Sequence, residues 1–341
     1  MPNEPCIVWQ NARSLGTRAQ NALRPLSWSC VPFWIERVVA FVKLGRPKFL
    51  LGGSAFYGLG AALATIGHGP IEWHAFAWGQ AIVTSTQLMT HYSNDYFDLA
   101  ADRANRTPTR WSGGSRILPS GLLQPRVALF AALVFACISA CLVSLLAVRP
   151  DSPRALVPLV ILLIGLAWSY SAPPLRLLAR GLGELTTALV VTLLTPLLGF
   201  YLQCGVFERL PFLACVPLAG LQLAMLLTIE LPDAAGDALT GKRTLVVRWG
   251  AKWSGRLGAA LLAATFCALP LLWWGGLPWT VAASAGPLAP FAAWQAARLW
   301  RAQLIVAPRW ESLATASVAL LFLTAVAELS GTLIANASNT H

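Results

Sequence analysis

Residues 73–102 read WHAFAWGQAIVTSTQLMTHYSNDYFDLAAD. An apolar run long enough for a membrane-spanning helix passes directly into three aspartates, Asp95, Asp98 and Asp102. Their spacing of i, i+3 and i+7 places the three carboxylates on one face of a continuous helix. Like charges crowded beside low-dielectric surroundings are costly unless cations neutralise them. This stretch therefore predicts a membrane fold with a cation site at one end of a helix.

The whole chain is similarly apolar. Of its 341 residues, 56% are hydrophobic and 11% are charged, against about 25% charged in ordinary soluble proteins. We predict an all-α membrane protein with nine transmembrane helices of roughly 20 residues each, at 49–67, 73–94, 127–148, 155–171, 185–206, 210–230, 257–274, 279–297 and 312–336. We assign residues 1–34 to a cytoplasmic or interfacial N-terminal extension and residues 35–336 to one membrane domain.

The distribution of basic charge indicates the orientation. If the N-terminus lies in the cytoplasm, 22 of the 25 lysines and arginines are cytoplasmic, and the other side has only Arg149, Arg154 and Arg209. The positive-inside rule predicts this asymmetry, so the net charge of +11 does not indicate nucleic-acid binding. We expect a multi-pass protein embedded in membrane lipid, in the plasma membrane if bacterial, with its active site cytoplasmic. The seven cysteines show no CxxC spacing, which argues against a zinc site or a disulfide framework.

A second acidic triplet, Glu230, Asp233 and Asp237, repeats the spacing of the first. Each triplet lies at the cytoplasmic end of an even-numbered predicted span, and a basic loop follows each. A duplicated four-helix unit would produce this pattern. We therefore predict a weak internal repeat whose two halves bring their carboxylates face to face.

Two facing carboxylate clusters favour Mg²⁺, a hard cation that binds carboxylates and bridges to substrate phosphates. Basic residues at the same helix ends can donate charge-assisted hydrogen bonds to phosphate oxygens; they are Arg46, Lys48, Arg106, Arg110, Arg116, Arg176, Lys242 and Arg243. At the mouth of an apolar bundle, this combination indicates a substrate with a diphosphate head and a lipid tail. An ion-coupled transporter is the alternative of another class, although transporter acids tend to lie nearer the middle of the membrane.

Four motifs resemble, in order, those of the intramembrane aromatic prenyltransferases of the UbiA superfamily. NDYFDLAAD at 94–102 resembles the first acidic signature of that family, and LPDAAGDALTGKRTLVVRWG at 231–250 resembles the second. YSAPPLRLLARGLGE at 170–184 is similar to the tyrosine loop, and LGRPKF at 44–49 to the start of the first helix. The resemblance implies a UbiA-type bundle of nine helices with a central cavity and a polar cap on the cytoplasmic side.

Together, the resemblance and the basic loops assign roles to individual residues. The metal ligands are expected to be Asp95, Asp98, Asp102, Asp233 and Asp237. Direct catalytic roles are expected for Asp98, Asp102, Tyr170 and Asp233. Contacts to the diphosphate or the acceptor are expected from Arg46, Asn94, Arg106, Arg116, Arg176 and Lys242. Tyr170 also fits an interfacial tyrosine, and Arg176 also fits a positive-inside anchor.

The implied reaction is Mg²⁺-dependent transfer of a polyprenyl group from a polyprenyl diphosphate to an aromatic acceptor in quinone biosynthesis. GGSRIL at 113–118 and GKRTLVVRWG at 241–250 resemble the menaquinone-type members, which prenylate 1,4-dihydroxy-2-naphthoate. Those members often carry an Asn- and Arg-rich approach to the second motif, whereas residues 228–232 read TIELP. This departure leaves 4-hydroxybenzoate, homogentisate, haem or another ring open as the acceptor.

Overall fold

The computed structural model describes residues 32–149, 153–301 and 309–339, and the structural statements below concern these residues. All regular structure in these ranges is helical, as the sequence predicts. The predicted N-terminal extension lies almost wholly outside the described residues. All the residues that line the candidate site lie in the unit that begins at Phe41.

The described ranges contain fourteen α helices, which we number in chain order. They are α1 (Phe33–Leu44), α2 (Pro47–His68), α3 (Trp73–Phe97), α4 (Leu99–Ala104), α5 (Pro125–Ala147), α6 (Leu156–Ser169), α7 (Gly183–Leu189), α8 (Thr195–Cys204), α9 (Arg209–Ile229), α10 (Ala234–Leu239), α11 (Leu245–Trp274), α12 (Trp279–Ser284), α13 (Ala289–Trp300) and α14 (Trp310–Asn339). A π-helical turn, Val190–Leu194, joins α7 to α8, so these two helices form one long rod.

Six described segments are long and apolar enough to cross a membrane, and they are Trp34–His68, Pro125–Ala147, Gly183–Cys204, Arg209–Ile229, Leu245–Trp274 and Trp310–Ser338. The other three predicted spans are also helical, but none of them is a single helix that is both long and apolar enough to be counted with these six. The helix α3 has 25 residues but is more polar, α6 has only 14 residues, and 279–297 divides into α12 and α13. The all-α membrane fold is confirmed, whereas the count of nine spans stays a prediction.

Two apolar cores meet along α2 and α8. One core is formed mainly by α2, α3, α5, α6 and α8, and the other mainly by α2, α9, α11 and α14 with part of α8. The helices α2 and α8 approach closely through glycines, because a Cβ atom on Gly60 would overlap the carbonyl of Pro196 and one on Gly199 would overlap the carbonyl of Tyr57. Small residues at such crossings let helix backbones pack tightly inside a membrane. Each core contains the long helix that leads into one acidic triplet.

Both acidic triplets lie at a break in the helical path. The helix α3 ends at Phe97, Asp98 has φ −95° and ψ 2°, and α4 begins at Leu99. In the second half, α9 ends at Ile229 and α10 begins only at Ala234. The expectation of one continuous helical face at each triplet is therefore corrected, because the chain bends within each triplet.

The two short helices that follow the breaks pack against each other. Gly236 on α10 makes this contact possible, because a Cβ atom there would lie 3.0 Å from the carbonyl oxygen of Ala101 and 3.0 Å from the amide nitrogen of Asn105. A larger side chain would push α10 away from α4. The fold thus brings two segments more than 120 residues apart in the chain into direct contact.

Candidate active site

A cavity lies where α3 and α4 meet α9 and α10. Five acidic side chains line it, namely Asp98, Asp102, Glu230, Asp233 and Asp237. Two basic side chains, Arg46 and Lys242, line it as well, together with Tyr170, Trp111 and the apolar Leu178, Leu226 and Ile229. The structure therefore brings both acidic motifs, the tyrosine loop and the residue before α2 to one place.

Lys242 connects the two acidic motifs. Its Nζ atom lies 3.0 Å from Oδ2 of Asp98 and 3.2 Å from Oδ1 of Asp237, and all three residues are buried. Burial opposes the charge on Lys242, but Asp98 and Asp237 outweigh it and raise the pKa of Lys242. The ammonium group is therefore held in its charged form between one carboxylate from each motif.

Asp95 is held on one side of the cavity and does not line it. The Arg46 guanidinium forms an ion pair with Oδ1 of Asp95 and donates to Oδ1 of Asn94 over 3.1 Å. Oδ2 of Asp95 accepts a hydrogen bond from the amide of Ser115 over 3.2 Å and another from the Ser115 hydroxyl. Both oxygens of this carboxylate, which is only 1% exposed, are thus occupied within the protein.

Asn94 attaches the tyrosine loop to the first acidic motif. Its Nδ2 atom donates to Oδ2 of Asp98 and to the hydroxyl oxygen of Ser171, each over 2.7 Å. Because Ser171 follows Tyr170 directly, these contacts fix the backbone that carries the tyrosine ring into the cavity wall. Asn94 therefore acts as a connector as well as a cavity-lining residue.

The loop after α4 closes over the second acidic motif. Nδ2 of Asn105 donates to Oδ1 of Asp233 over 2.6 Å, and the amide of Gly113 donates to Oδ2 of Asp233 over 3.1 Å. Gly113 and Gly114 have φ of 76° and 71°, a region that residues with a side chain rarely adopt. A Cβ atom on Gly114 would overlap the Asp102 carboxylate. These glycines allow the loop backbone to approach both motifs.

The carboxylates of this cavity fit the ligand chemistry of Mg²⁺. Burial, the largest effect, raises the pKa of Asp102 and of Asp233 to about 7, and it also raises the pKa of Asp237. Oδ2 of Asp102 is buried without a hydrogen-bond partner. The five acids outnumber the two bases in the lining, so a divalent cation with a preference for carboxylate oxygens would relieve the excess negative charge.

The acids expected to bind metal do not surround a common point in the described ranges. Within the described ranges, no three acidic, histidine or cysteine side chains converge closely enough to hold an ion as they stand. Lys242 lies between Asp98 and Asp237 and fills the space between the two motifs. Lys242 thus occupies one carboxyl oxygen of Asp98 and one of Asp237.

Three of the basic residues expected to contact substrate lie outside the cavity lining. Arg106 and Arg176 are exposed, and Arg116 donates to the backbone carbonyl of Asp102. Arg46, Arg116 and Arg176 are the non-glycine residues with positive φ in the described ranges, at 49°, 63° and 45°. Such backbone geometry is costly and tends to occur at functional sites. The cavity itself offers only Arg46 and Lys242 as cations.

Several residues of the site were not predicted from the sequence. Asn105 binds Asp233, and Ser115 binds Asp95, as described above. Glu184 is fully buried and its Oε1 atom accepts a hydrogen bond from the amide of Leu245 over 2.7 Å, which caps the start of α11. In the sequence, Glu184 could have been noticed as a single acid directly before the predicted apolar span 185–206. Asn105 could have been found from its position one turn after Asp102.

Comparison with known proteins identifies related sequences. The model of the UbiA prenyltransferase family matches residues 54–310. Two 1,4-dihydroxy-2-naphthoate octaprenyltransferases, from Mycobacterium leprae (strain TN) and Bacillus subtilis (strain 168), are each 28% identical to this chain. The first match covers 66% of this chain and 74% of the relative. The second covers 58% of this chain and 60% of the relative.

Solved structures share the fold. A UbiA homolog from Aeropyrum pernix K1 superposes with a TM-score of 0.63 at 17% identity, covering 82% of this chain and 96% of that chain. A UbiA homolog from Archaeoglobus fulgidus bound to GPP and Mg²⁺ superposes with a TM-score of 0.58 at 14% identity, covering 85% of this chain and 99% of that chain. At these identities the likeness concerns the arrangement of the helices.

Proposed function

This chain belongs to the UbiA prenyltransferase family, and we propose that it transfers a polyprenyl group from a polyprenyl diphosphate to 1,4-dihydroxy-2-naphthoate in menaquinone biosynthesis. Family membership makes it an integral membrane prenyltransferase. Two relatives named for this acceptor support the acceptor. The structural neighbour bound to GPP and Mg²⁺ supports a prenyl diphosphate donor and a magnesium requirement.

The observation that carries the proposal is the convergence of both acidic motifs and two cations on one cavity. Asp98, Asp102, Asp233 and Asp237 would hold Mg²⁺, which when bound neutralises charge on the departing diphosphate. Asp95, which the sequence also predicts as a ligand, is instead paired with Arg46 and Ser115. Lys242 and Arg46 are cations that already contact carboxylates at this cavity. Each can exchange a carboxylate oxygen for a phosphate oxygen, which has the same charge and accepts the same hydrogen bonds.

The other walls of the cavity suit the next step of the reaction. When the allylic C–O bond breaks, the remaining carbocation must be kept from water until the acceptor ring attacks it. Leu178, Leu226 and Ile229 provide apolar surface that excludes water. The rings of Tyr170 and Trp111 can stabilise a nearby cation through their faces. The ring carbon of the acceptor then forms the new bond and loses its proton.

The position of the acids favours an enzyme over an ion-coupled transporter. The six acids of the two triplets lie at the ends of α3 and α9 and in the short helices that follow, whereas transporter sites lie near mid-membrane beside broken spanning helices. We place this end of the bundle and the N-terminus in the cytoplasm, because 22 of the 25 basic residues fall on that side of a nine-span topology. Reporter fusions to the loops would test the orientation.

Prenyl transfer by the purified protein tests the proposed function. The protein in detergent is incubated with Mg²⁺, polyprenyl diphosphates of several lengths, and 1,4-dihydroxy-2-naphthoate, 4-hydroxybenzoate, homogentisate or haem. We expect a prenylated naphthoate by mass spectrometry and no product after chelation of Mg²⁺. Product from one of the other acceptors would correct the acceptor, and the absence of transfer to every acceptor would contradict the proposed reaction.

A further inference from the structure

Glu230 differs from Asp98, Asp233 and Asp237 in having no hydrogen-bond donor in the described ranges, a property that it shares with Asp102 among the acids of the cavity. It follows the last residue of α9 and is 7% exposed. Neither of its carboxyl oxygens has a hydrogen-bond partner in the described part of the chain, and both are buried. Asp98, Asp233 and Asp237, by contrast, accept hydrogen bonds from Lys242, Asn94, Asn105 or Gly113.

Glu184 satisfies at most one oxygen of Glu230. The two carboxyl groups lie within hydrogen-bonding reach, and a proton shared between them joins one oxygen of each, so the second oxygen of Glu230 still has no donor. One oxygen of Glu184 is committed to the amide of Leu245, and the other is itself buried without a partner. The two glutamates therefore form a buried group of acceptor atoms that needs a donor from elsewhere.

The surroundings of Glu230 in the cavity wall suit a flat ring. Leu226 and Ile229 stand on the last turn of α9, directly before Glu230, and they line the same cavity. Tyr170 also lines the cavity. Apolar and aromatic walls beside an unpaired acceptor match a ring that carries an O–H group. The phosphate-binding cations, Arg46 and Lys242, contact acids other than Glu230.

We propose that Glu230, supported by Glu184, binds a ring hydroxyl of the aromatic acceptor and thereby selects acceptors with a free hydroxyl group. The inference rests on the proposed function for the existence of an aromatic acceptor. The acceptor O–H donates to a carboxyl oxygen of Glu230, and the ring packs against Leu226 and Ile229. A phenol or naphthol fits this site, whereas its O-methyl ether lacks the required donor.

The first experiment measures binding without the reaction. Calorimetry of the protein in detergent, without Mg²⁺ or diphosphate, compares 1,4-dihydroxy-2-naphthoate with its 1,4-dimethoxy ether. We expect Glu230→Met to weaken binding of the dihydroxy compound about 10- to 100-fold, the range for hydrogen bonds to charged groups. The wild-type protein should discriminate against the dimethoxy compound by a similar factor, and Glu230→Met should not discriminate.

Glu328 provides a matched control. It is 1% exposed, and both of its oxygens are also buried without a partner among the residues that the structure describes, but it lies in α14 and does not line the cavity. Glu328→Met therefore removes a comparable buried carboxyl group and should leave acceptor binding unchanged. Thermal unfolding in detergent verifies that each variant is folded, and Glu230→Leu, which also has no hydrogen-bond acceptor, replaces Glu230→Met if that variant is unfolded.

Steady-state kinetics separates acceptor binding from diphosphate binding. For Glu230→Met we expect a KM increase for the acceptor and a KM for the polyprenyl diphosphate within about twofold of wild type, since a hydrogen bond to the acceptor alone is lost. The inference is overturned if Glu230→Met binds the acceptor as well as wild type does, or if both KM values rise equally. In either case, turnover by the wild-type protein would still support the proposed function. Failure of the wild-type protein to bind or prenylate any aromatic acceptor overturns both.

Discussion

The two acidic triplets share one spacing but differ at their first acid. Asp95 begins the first triplet, and Arg46 and Ser115 occupy both of its oxygens. Glu230 begins the second triplet, and no donor in the described ranges reaches either of its oxygens. Lys242 joins the triplets at different positions, because it contacts the second acid of the first triplet, Asp98, and the third acid of the second, Asp237. The two triplets thus share one spacing but not the same partners.

The neighbouring helices explain the difference. The chain places Arg46 directly before α2, beside the end of α3, so a cation meets Asp95. At the equivalent place in the second half, α7 brings Glu184 next to Glu230. The first acid of one triplet therefore holds a basic residue, whereas the first acid of the other is the one that we propose binds a ligand.

The largest effect is expected at the equivalent second acids, Asp98 and Asp233. We expect Asp98→Ala and Asp233→Ala each to lower kcat for prenyl transfer by about 100- to 1,000-fold, as removal of a group that stabilises transition-state charge does. Initial rates at saturating Mg²⁺ measure this, with Glu311→Ala, an exposed acid outside the cavity, as the control. Full Mg²⁺-dependent turnover in either variant would remove that acid from the reaction.

The second-largest effect is expected on stability when Lys242, which contacts both triplets, is replaced. Lys242→Met leaves the buried Asp98 and Asp237 without their shared cation, so we expect a loss of about 3–5 kcal/mol in the free energy of unfolding. Thermal unfolding in detergent, with and without Mg²⁺, measures the loss, and Mg²⁺ should restore part of it. The control is Arg243→Met, which changes an exposed neighbour. No effect of Mg²⁺ on the stability of Lys242→Met would argue against a cation site between the triplets.

A comparison of the two first acids tests the contrast directly. Asp95→Asn removes the charge that neutralises Arg46, and we expect it to destabilise the protein by about 3 kcal/mol. Glu230→Gln introduces an N–H donor opposite Glu184, and we expect stability to stay equal or to rise by about 1 kcal/mol. Both values come from unfolding in detergent without ligands. Similar losses in the two variants would show that the triplets are equivalent at this position after all.

The smallest effect is expected at the exposed arginines. Arg106 and Arg176 lie outside the cavity lining, so Arg106→Gln and Arg176→Gln should raise the KM for the polyprenyl diphosphate less than about fivefold, as for exposed ion pairs. Arg46→Gln is the comparison variant, because Arg46 lines the cavity, and its effect should be clearly larger. A tenfold or greater rise for Arg176→Gln would support the direct substrate contact that the sequence predicts.

Local sequence patterns predicted much of this protein. Hydrophobic runs of sufficient length predicted helices, and all nine predicted spans are helical where they are described. Carboxylate spacing predicted two acidic clusters, and their convergence on one cavity agrees with that expectation. These features could be predicted because burial in a membrane and helical periodicity act over a few turns of one segment.

The breaks in the helices and the partners of the acids could not be predicted in the same way. Asn105 and Asp233 are 128 positions apart, and Glu184 and Leu245 are 61 apart, yet each pair forms a hydrogen bond. The sequence also offered eight basic residues as phosphate ligands, of which only Arg46 and Lys242 line the cavity. Such choices depend on which segments the helix packing brings together.

The sequence by itself therefore determined the class of fold, the family and the two acidic motifs. The tertiary structure decided which acids have a basic or hydrogen-bonding partner and which have none in the described ranges, as the contrast between Asp95 and Glu230 shows. The physical reason is that hydrophobicity and helical spacing belong to a segment, whereas the neutralisation of a buried charge depends on the distance to a partner. That distance is set only when α2, α3, α7 and α9 have packed together.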